Sequence, residues 1–461
     1  MEKPHLTCMT EDTIAAVATP LGEAGIAIIR LSGPEAVILT DGLFRMPGGR
    51  KQLRDQASHT IHYGHIWYGG ERLDEVMVAL MRAPKSYTRE DVVEINCHGG
   101  LMTTRKVLDA VLRSGARLAE PGEFTRRAFI NGRIDLTQAE AVADLIHARS
   151  ERAMAMAGEQ LQGSLSRKVN LVRDDLMNVL AHMEAHIDFP DEDIAPDTLD
   201  SLRAKLDSGI QFMSHLLSTA GDGRLMRQGI RTAIVGRPNA GKSSLLNQLL
   251  GEDRAIVSAI AGTTRDTIEE FASINGIPVI FIDTAGLRET TDEVEQEGIR
   301  RSLASLEKAD LILHILDVSE DLHEADRDFA SRFSGKRKIT VANKSDLGVV
   351  ADLGSLEPLV QISCARGHGI DDLKQAIEKM FWERPGDSSQ DQLMINSRHE
   401  SQLHRAHEAT QKARLAIDDD WSLEVVAMEL RIAVQAIGEI VGKTSTEDLL
   451  DKIFSQFCLG K

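Results

Sequence analysis

The sequence lacks the features of secreted, membrane-spanning and disulfide-bonded proteins. No apolar run in its 461 residues approaches the roughly 18 residues of a membrane-spanning helix. The N-terminal stretch MEKPHLTCMTEDT contains no apolar segment of the kind found in secretory signals. The four cysteines, Cys8, Cys97, Cys364 and Cys458, form neither a CxxC pair nor the spacing of a zinc site. We therefore expect a cytoplasmic protein in a reducing compartment.

Basic residues are outnumbered by acidic ones. The chain has 53 lysines and arginines against 71 aspartates and glutamates, a formal net charge of −18. This excess of acid disfavours a protein that binds nucleic acid through a broad basic face. Solubility explains the charge equally well, and a local basic patch or a basic partner that carries the RNA is still compatible with it.

The first part of the chain, residues 1–131, has the texture of an α+β domain. GIAIIRLSG (25–33) and DVVEINCHGG (91–100) are short apolar runs bounded by glycine or by turn residues, which predicts two strands. The apolar spacing of residues 101–115 predicts a helix directly after the second strand.

The rest of the chain predicts two helical regions on either side of an α/β block. Residues 132–228 and 385–461 are rich in alanine and leucine at helical spacing, whereas residues 229–384 alternate apolar strands with helical segments. The stretch Thr444-Ser-Thr-Glu447 matches a capping box before a last helix. We predict one helical domain interrupted by an inserted, doubly wound α/β domain, because domain termini usually lie close together. Two separate helical domains are the alternative.

A phosphate-binding loop opens the α/β block. GRPNAGKS (236–243) follows an apolar strand, precedes a leucine-spaced helix and matches GxxxxGK[ST]. Backbone N–H groups of such a loop surround phosphates at a helix N-terminus. Lys242 would reach the β- and γ-phosphates, and Ser243 would ligate Mg²⁺. The predicted nucleotide contacts in this loop are Asn239, Ala240, Gly241, Lys242, Ser243 and Ser244.

Three further motifs follow in the order expected for a guanine-nucleotide site. They are DTAG (283–286), NKSD (343–346) and SCA (363–365). Asp283 suits a water-mediated Mg²⁺ contact, and the carboxylate of Asp346 can accept hydrogen bonds from guanine N1 and N2, a donor pair that adenine lacks. The predicted contacts from these motifs are Asp283, Thr284, Ala285, Gly286, Asn343, Lys344, Asp346, Ser363, Cys364 and Ala365, with Asn343 and Lys344 bracing the base-binding loop.

The residues expected to support hydrolysis depart from those of small signalling GTPases. Leu287 follows DTAG where those proteins use a glutamine to orient the attacking water. SAIAGTTRD (258–266) offers Thr263 and Thr264 as a second Mg²⁺ ligand, and Arg265 is the nearest candidate for an arginine finger. Acids that could orient water, or simply face solvent, are Glu289, Asp292, Glu293, Glu295 and Glu297.

Taken together, GRPNAGKSSLLN, IAGTTRDT, DTAGLRETTDEVE, NKSD and the terminal CLGK resemble the MnmE (TrmE) family of tRNA uridine 5-carboxymethylaminomethyl modification GTPases. The resemblance covers essentially the whole chain. It implies an N-terminal domain that binds folate and dimerises, a helical domain and a G domain inserted into it. It also implies an FAD-dependent partner of the MnmG (GidA) type in a heterotetramer or larger assembly. Together they would modify C5 of the wobble uridine of certain tRNAs with a one-carbon unit from 5-formyl- or methylene-tetrahydrofolate.

The same resemblance assigns ions and a catalytic acid to the G domain. K⁺ would be held by Asn239, Ser258, Ile260 and Thr263, where an arginine finger would otherwise act. Thr264 would ligate Mg²⁺, and Glu295 would orient the attacking water. The GTP contacts implied for this loop are Ser258, Ala259, Ile260, Ala261, Gly262, Thr263 and Thr264.

For folate, the resemblance implies contacts from Arg30, Glu94, Arg133 and Lys461. Glu94 is a carboxylate within an apolar strand, which is typical of a functional site, although a buried salt bridge would place it there equally well. Lys461 would bring the C-terminus to the N-terminal domain. Cys458 would lie near the folate, where its thiolate could act in catalysis; the alternative is a thiol packed beneath the last helix. CLGK is a poor prenylation signal because it ends in lysine.

Two other functions compete with this interpretation. A GTP-switched ribosome-assembly protein would share the G domain, but we find no RNA-binding appendage such as a KH module. A folate-dependent one-carbon transferase with a regulatory G domain would differ only in acting on a small molecule.

Overall fold

The structure is a computed structural model, and it describes residues 12–48, 52–189, 196–251, 269–282, 307–324, 326, 335–354, 356–381, 393–419, 421–444, 446–458 and 460–461. The chain divides into two compact units. The first comprises residues 1–143, 166–173 and 437–461, and the second comprises residues 144–165 and 174–436. The predicted domain boundaries at 131, 228 and 384, and the insertion itself, stay predictions.

Helices account for much of both units. In chain order they are α1 (Ala36–Leu43), α2 (Leu101–Arg113), α3 (Glu123–Ile130), α4 (Leu136–His147), α5 (Glu151–Leu161), α6 (Ser164–Asp188), α7 (Pro196–Ser218), α8 (Ala220–Gln228), α9 (Lys242–Leu250), α10 (Ile370–Phe381), α11 (Ser397–Asp418), α12 (Leu423–Val441) and α13 (Glu447–Phe454). Among the described helices, none combines the length and the apolar character needed to cross a membrane.

The first unit contains a mixed sheet in the order β3-β4-β5-β6-β2-β1-β7. Its strands are β1 (Ile14–Val17), β2 (Ala24–Ser32), β3 (Phe44–Arg45), β4 (Thr60–Tyr68), β5 (Glu71–Met81), β6 (Val92–Gly99) and β7 (Arg117–Leu118). Neighbours are antiparallel except β1 and β7, which are parallel. Ile29 of β2 and Ile95 of β6 are fully buried in the same core as Val107 of α2. The α+β texture and both predicted strands are therefore confirmed.

The second unit contains the α/β block, with a sheet in the order β13-β12-β11-β8-β10-β9. Its strands are β8 (Ile230–Val235), β9 (Glu270–Ile274), β10 (Ile277–Phe281), β11 (Leu311–Asp317), β12 (Lys338–Asn343) and β13 (Leu359–Gln361). All of these pairs are parallel except β9 with β10. Because a parallel sheet is covered on both faces, its strands are nearly continuous apolar runs, as LILHILD in β11 illustrates.

The helical predictions are largely confirmed. Helix α6 ends at Asp188 and α7 begins at Pro196, both within the first predicted helical region. Helix α7 buries Leu202, Leu206, Met213 and Leu216 at helical spacing.

The capping box predicted at Thr444–Glu447 is wrong. Helix α13 begins at Glu447, so Thr446 is its N-cap residue, and the Thr446 side chain makes no capping hydrogen bond. Glu447 is thus the first helical residue, whereas a capping box needs the glutamate at the third. A capping box does form at α11, where Asn396 accepts from the His399 backbone at 2.8 Å and His399 Nδ1 accepts from the Asn396 backbone at 3.3 Å.

Candidate functional site

The phosphate-binding loop joins β8 to α9, so it lies at the carboxyl edge of the parallel sheet. Gly241 ends the loop with φ of +105°. A Cβ at this position would lie 2.2 Å from Nδ2 of Asn343, so only glycine fits. The helix that follows directs the N–H groups of its first turn, which includes Ser243 and Ser244, toward the loop. This arrangement suits a polyphosphate.

Lys242 is held inside the loop. Its Nζ donates hydrogen bonds to the carbonyl oxygens of Gly236 and Arg237, each at 2.9 Å. Burial lowers the pKa of the Lys242 ammonium from its ordinary value. The two hydrogen bonds hold the ammonium group at the phosphate-binding loop, from which the motif predicts that it reaches the β- and γ-phosphates.

Asn343 links the phosphate loop to the base-binding loop. Only 2% of Asn343 is exposed. Its Nδ2 donates to the carbonyl of Ala240 at 2.8 Å, and its Oδ1 accepts from the N–H of Cys364 at 3.1 Å. One side chain at the end of β12 therefore fixes two of the predicted nucleotide contacts relative to each other.

Asp346 lies in a short 3-10 turn, Ser345–Leu347, just after β12. A hydrogen bond from Ser363 lowers the pKa of the Asp346 carboxyl, and the nearby Arg366 and His368 lower it further. The carboxylate is thus ionised near neutral pH, the state that the predicted hydrogen bonds from guanine require. The SCA motif (363–365) follows β13 and lies beside Asp346. The carbonyl oxygen of Ile362 accepts a hydrogen bond from the Ser345 hydroxyl at 2.9 Å.

Two residues of this region were missed by the sequence analysis. Asp317 ends β11 and accepts from Nζ of Lys344 at 2.5 Å, so it holds the residue before the base-binding turn. Gln248 of α9 donates to the carbonyl of Cys364 at 3.0 Å. Asp317 had a signal in the sequence, because an acid that ends an apolar parallel strand lies at the ligand-binding edge of the sheet.

A second set of predicted residues meets in the first unit. Arg30 of β2 and Glu94 of β6 are direct cross-strand partners. Nε and Nη2 of Arg30 both lie 2.8 Å from Oε1 of Glu94, with side chains 15% and 22% exposed. The salt bridge that we considered as the alternative role of Glu94 is therefore present, at a depth that still leaves its carboxylate accessible.

The C-terminal residues lie against this ion pair. Nη1 of Arg30 donates to the carbonyl of Gly460 at 3.1 Å. Burial and the positive charge of Arg30 lower the pKa of the Lys461 ammonium, while Glu94 and Cys458 act in the opposite direction. We call the set Arg30, Glu94, Arg133, Cys458 and Lys461 the N-terminal site.

Cys458 is exposed, so a thiol packed beneath the last helix is wrong. The other two described cysteines, Cys97 and Cys364, are buried, and burial raises the pKa of each thiol to about 11. Cys458 is thus the thiol of the described residues that solvent and substrates can reach.

Arg133 approaches the site through Tyr87, a residue that the sequence analysis did not single out. Nη1 of Arg133 donates to the Tyr87 carbonyl at 2.9 Å, and its Cζ lies 4.9 Å from the centre of the Tyr87 ring. Cζ of Arg30 lies 5.7 Å from the same ring centre. Tyr87 therefore joins Arg30 and Arg133, which are far apart in sequence.

Several predicted residues lie outside the described part of the chain. These are Cys8, Ser258, Ala259, Ile260, Ala261, Gly262, Thr263, Thr264, Arg265, Asp283, Thr284, Ala285, Gly286, Leu287, Glu289, Asp292, Glu293, Glu295 and Glu297.

A parallel sheet with a phosphate loop at its edge, and an Asn-Lys-x-Asp turn beside it, defines a P-loop GTPase. Two family matches fall on this chain. The N-terminal domain described as "GTP-binding protein TrmE N-terminus" matches residues 13–133, and the "MnmE helical domain" matches residues 136–458.

Full-length relatives agree with these matches. The chain is 50% identical to the tRNA modification GTPase MnmE of Geobacillus thermodenitrificans and 46% identical to that of Bacillus subtilis, each over 98% of this chain and 100% of the relative. Among solved structures, Era from Aquifex aeolicus is 30% identical over 39% of this chain and 66% of its own, with a TM-score of 0.26. The chain belongs to the MnmE family of tRNA modification GTPases. It is a GTP hydrolase, and its nucleotide site takes GTP and Mg²⁺.

Proposed function

We propose that this chain uses K⁺-stimulated GTP hydrolysis to modify C5 of the wobble uridine of certain tRNAs. A cytoplasmic homodimer acts with an FAD-dependent partner of the MnmG (GidA) type, in a heterotetramer or larger assembly. The one-carbon unit comes from 5-formyl- or methylene-tetrahydrofolate bound at the N-terminal site. The observation that carries the proposal is the meeting of the C-terminal Gly460 and Lys461 with the Arg30–Glu94 pair.

The chemistry of the N-terminal site suits a folate. The Glu94 carboxylate can accept hydrogen bonds from the amino group and ring N–H of a pterin. Arg133 and Lys461 add positive charge for the carboxylates of the glutamate end. Cys458 is exposed and close enough to act electrostatically on Lys461, so its thiolate is our candidate for a covalent role in the modification.

An exposed apolar area on the N-terminal sheet supports the homodimer. Tyr63 of β4 and Met77 of β5 are direct cross-strand partners and are 50% and 47% exposed. Ile61, two residues before Tyr63 on the same face, is 69% exposed. Contiguous apolar surface of this kind is typical of an interface.

For hydrolysis, we assign Mg²⁺ to Ser243 and Thr264, and K⁺ to Asn239, Ser258, Ile260 and Thr263. The geometry of the described loop favours a cation at the place of an arginine finger. Arg237, the arginine of the phosphate loop, pairs with the buried Asp326 at 3.2 Å. Asn239 has φ of +64° and an exposed side chain. Glu295 is assigned to orient the attacking water.

Replacing KCl by NaCl at matched ionic strength should lower the turnover number for GTP at least about tenfold, because a cation near the β/γ bridge offsets developing charge. Asn239→Ala should remove most of this difference. Asn247→Ala, an exposed asparagine in the adjoining α9, is the matched control and should keep it. Equal turnover of the wild-type protein in the two salts would remove the K⁺ assignment.

The proposed function is tested by mass spectrometry of tRNA nucleosides from cells depleted of this protein. We expect C5-substituted wobble uridines to disappear and to return when the wild-type chain is supplied. If the wobble uridines are unchanged, the result would favour the ribosome-assembly alternative. It would also remove the folate and Cys458 assignments. Unchanged uridines together with a defect in a small-molecule one-carbon transfer would favour the transferase instead.

A further inference from the structure

We propose that Tyr87 is a positioning residue of the N-terminal site, which holds the guanidinium groups of Arg30 and Arg133 in the arrangement that binds folate. The inference rests on the folate assignment above. Tyr87 would fix the two guanidinium groups that bind the ligand, and it would not contact the ligand's reacting atoms.

The ring of Tyr87 is a common contact for both arginines. The guanidinium carbons of Arg133 and Arg30 lie 4.9 and 5.7 Å from the ring centre. Both distances fall within the roughly 6 Å over which a cation is attracted by an aromatic face. Arg133 has a second bond to the same residue, from Nη1 to the backbone carbonyl at 2.9 Å.

Tyr87 is itself held in place by its hydroxyl and its ring. The hydroxyl forms a hydrogen bond of 2.9 Å with Oγ1 of Thr125, a fully buried residue of α3. The ring packs against the small apolar cluster of Ile14, Ala16, Ala119 and Phe124. These contacts restrict both rotation and translation of the ring, so it is a rigid support.

The backbone on the C-terminal side of Tyr87 is anchored as well. Ser32 Oγ lies 2.6 Å from both Thr88 Oγ1 and a carboxylate oxygen of Glu90. Glu90 in turn accepts from Arg127, which is 2% exposed and also bonds Asp12 and Glu123. A buried ionic network therefore fixes the segment that carries Tyr87, and through it the carbonyl that Arg133 uses.

The two arginines depend on Tyr87 to different degrees. Arg30 has its own carboxylate partner, Glu94, and also bonds Gly460. Arg133 is exposed, and the contacts that orient it are the ring and the carbonyl of Tyr87. Loss of the ring should therefore act mainly through Arg133, which distinguishes positioning from a general loss of stability.

The test is the affinity of the intact chain for 5-formyltetrahydrofolate, measured by isothermal titration calorimetry. We expect Tyr87→Leu to raise the dissociation constant about tenfold, since it removes the aromatic face from two cations. Tyr87→Phe keeps that face and should stay within about threefold of wild type. Tyr68→Leu, at the end of β4 in the same unit, is the matched control and should bind as wild type does.

A double-mutant cycle with Arg133→Met gives the readout that a purely structural role would not change. In the Arg133→Met background, Tyr87→Leu should cost less than about threefold. If Tyr87→Leu does not fold, fluorinated phenylalanine at position 87 keeps the ring shape while weakening its attraction for cations, and should also weaken binding.

Any one of the following results would overturn the proposal: wild-type affinity in Tyr87→Leu, a Tyr87→Phe defect as large as that of Tyr87→Leu, or additive effects in the cycle. Wild-type affinity in the chain that carries fluorinated phenylalanine at position 87 would also overturn it. Failure of the wild-type chain to bind 5-formyltetrahydrofolate would instead remove the folate assignment itself, and the Tyr87 role with it.

Discussion

Asp346→Asn is expected to change the nucleotide specificity of the G domain from GTP to xanthosine triphosphate. The Asp346 carboxylate would accept hydrogen bonds from guanine N1 and N2. The amide nitrogen of asparagine is itself a donor, and two donors that face each other form no hydrogen bond. Two hydrogen bonds to a charged group are lost together, so the dissociation constant for GTP should rise on the order of 1000-fold. Xanthine carries a carbonyl in place of the 2-amino group, and the amide can donate to it.

The measurement is a pair of titrations with fluorescent GTP and xanthosine triphosphate, followed by turnover assays with each. Asp372→Asn makes the same change of charge on the exposed first turn of α10 and should leave both affinities unchanged. GTP affinity within about fivefold of wild type in Asp346→Asn would show that Asp346 is not the base contact. Asp346→Asn leaves the ion pair between Lys344 and Asp317 in place, so we expect the turn to keep its conformation.

Gly460→Ala should release the C-terminal residues from the N-terminal site. Gly460 has φ of +89°, and a Cβ there would lie 2.3 Å from the carbonyl oxygen of Val17 and 2.8 Å from Cα of Ala18. Both obstacles are backbone atoms of or beside β1, so they cannot rotate away. The chain would move instead, and the hydrogen bond from Arg30 to the Gly460 carbonyl would be lost.

We therefore expect Gly460→Ala to weaken binding of 5-formyltetrahydrofolate at least about tenfold, the effect of misplacing a charged group at a preorganised site. Modified wobble uridines should fall strongly in cells that carry this variant alone, while GTP turnover by the purified protein stays at the wild-type rate. Gly42→Ala, inside α1 of the same unit and with open space at its Cβ, is the matched control and should leave folate binding intact. Normal folate affinity in Gly460→Ala would mean that the C-terminus is not part of the site.

The errors of the sequence analysis have physical causes. Strands β4 and β5 were not predicted. His62 and His65 interrupt the apolar alternation of β4. Val76–Met81 of β5, in contrast, is a continuous apolar run that could have indicated a strand. The capping box failed because helix α13 begins at Glu447, so the threonine and the glutamate of the motif do not occupy the N-cap and the third helical position. Short motifs predict an element more reliably than they predict its first residue.

The sequence by itself determined the strand, loop and helix of the phosphate-binding region and the Asn-Lys-x-Asp turn. The strand, the glycine-containing loop and the helix of the phosphate site are consecutive in the chain, so local backbone geometry is enough to predict them. The Asn-Lys-x-Asp turn predicted guanine through the chemistry of one side chain, that of Asp346. The motif also predicted that Asn343 braces the base-binding loop. The sequence did not show that Asn343 forms hydrogen bonds with both Ala240 and Cys364.

The tertiary structure decided how the N-terminal site is assembled. Arg30 and Glu94 meet because of the register between β2 and β6, which depends on which faces of the strands are buried and not on any local pattern. Gly460 is required by an approach to the backbone of β1, some 440 residues away in the chain. Tyr87 joins Arg30 to Arg133 only because a buried ionic network fixes its loop. Contacts between residues so distant in sequence are set by the packing of the whole domain, and for that reason they were visible only in three dimensions.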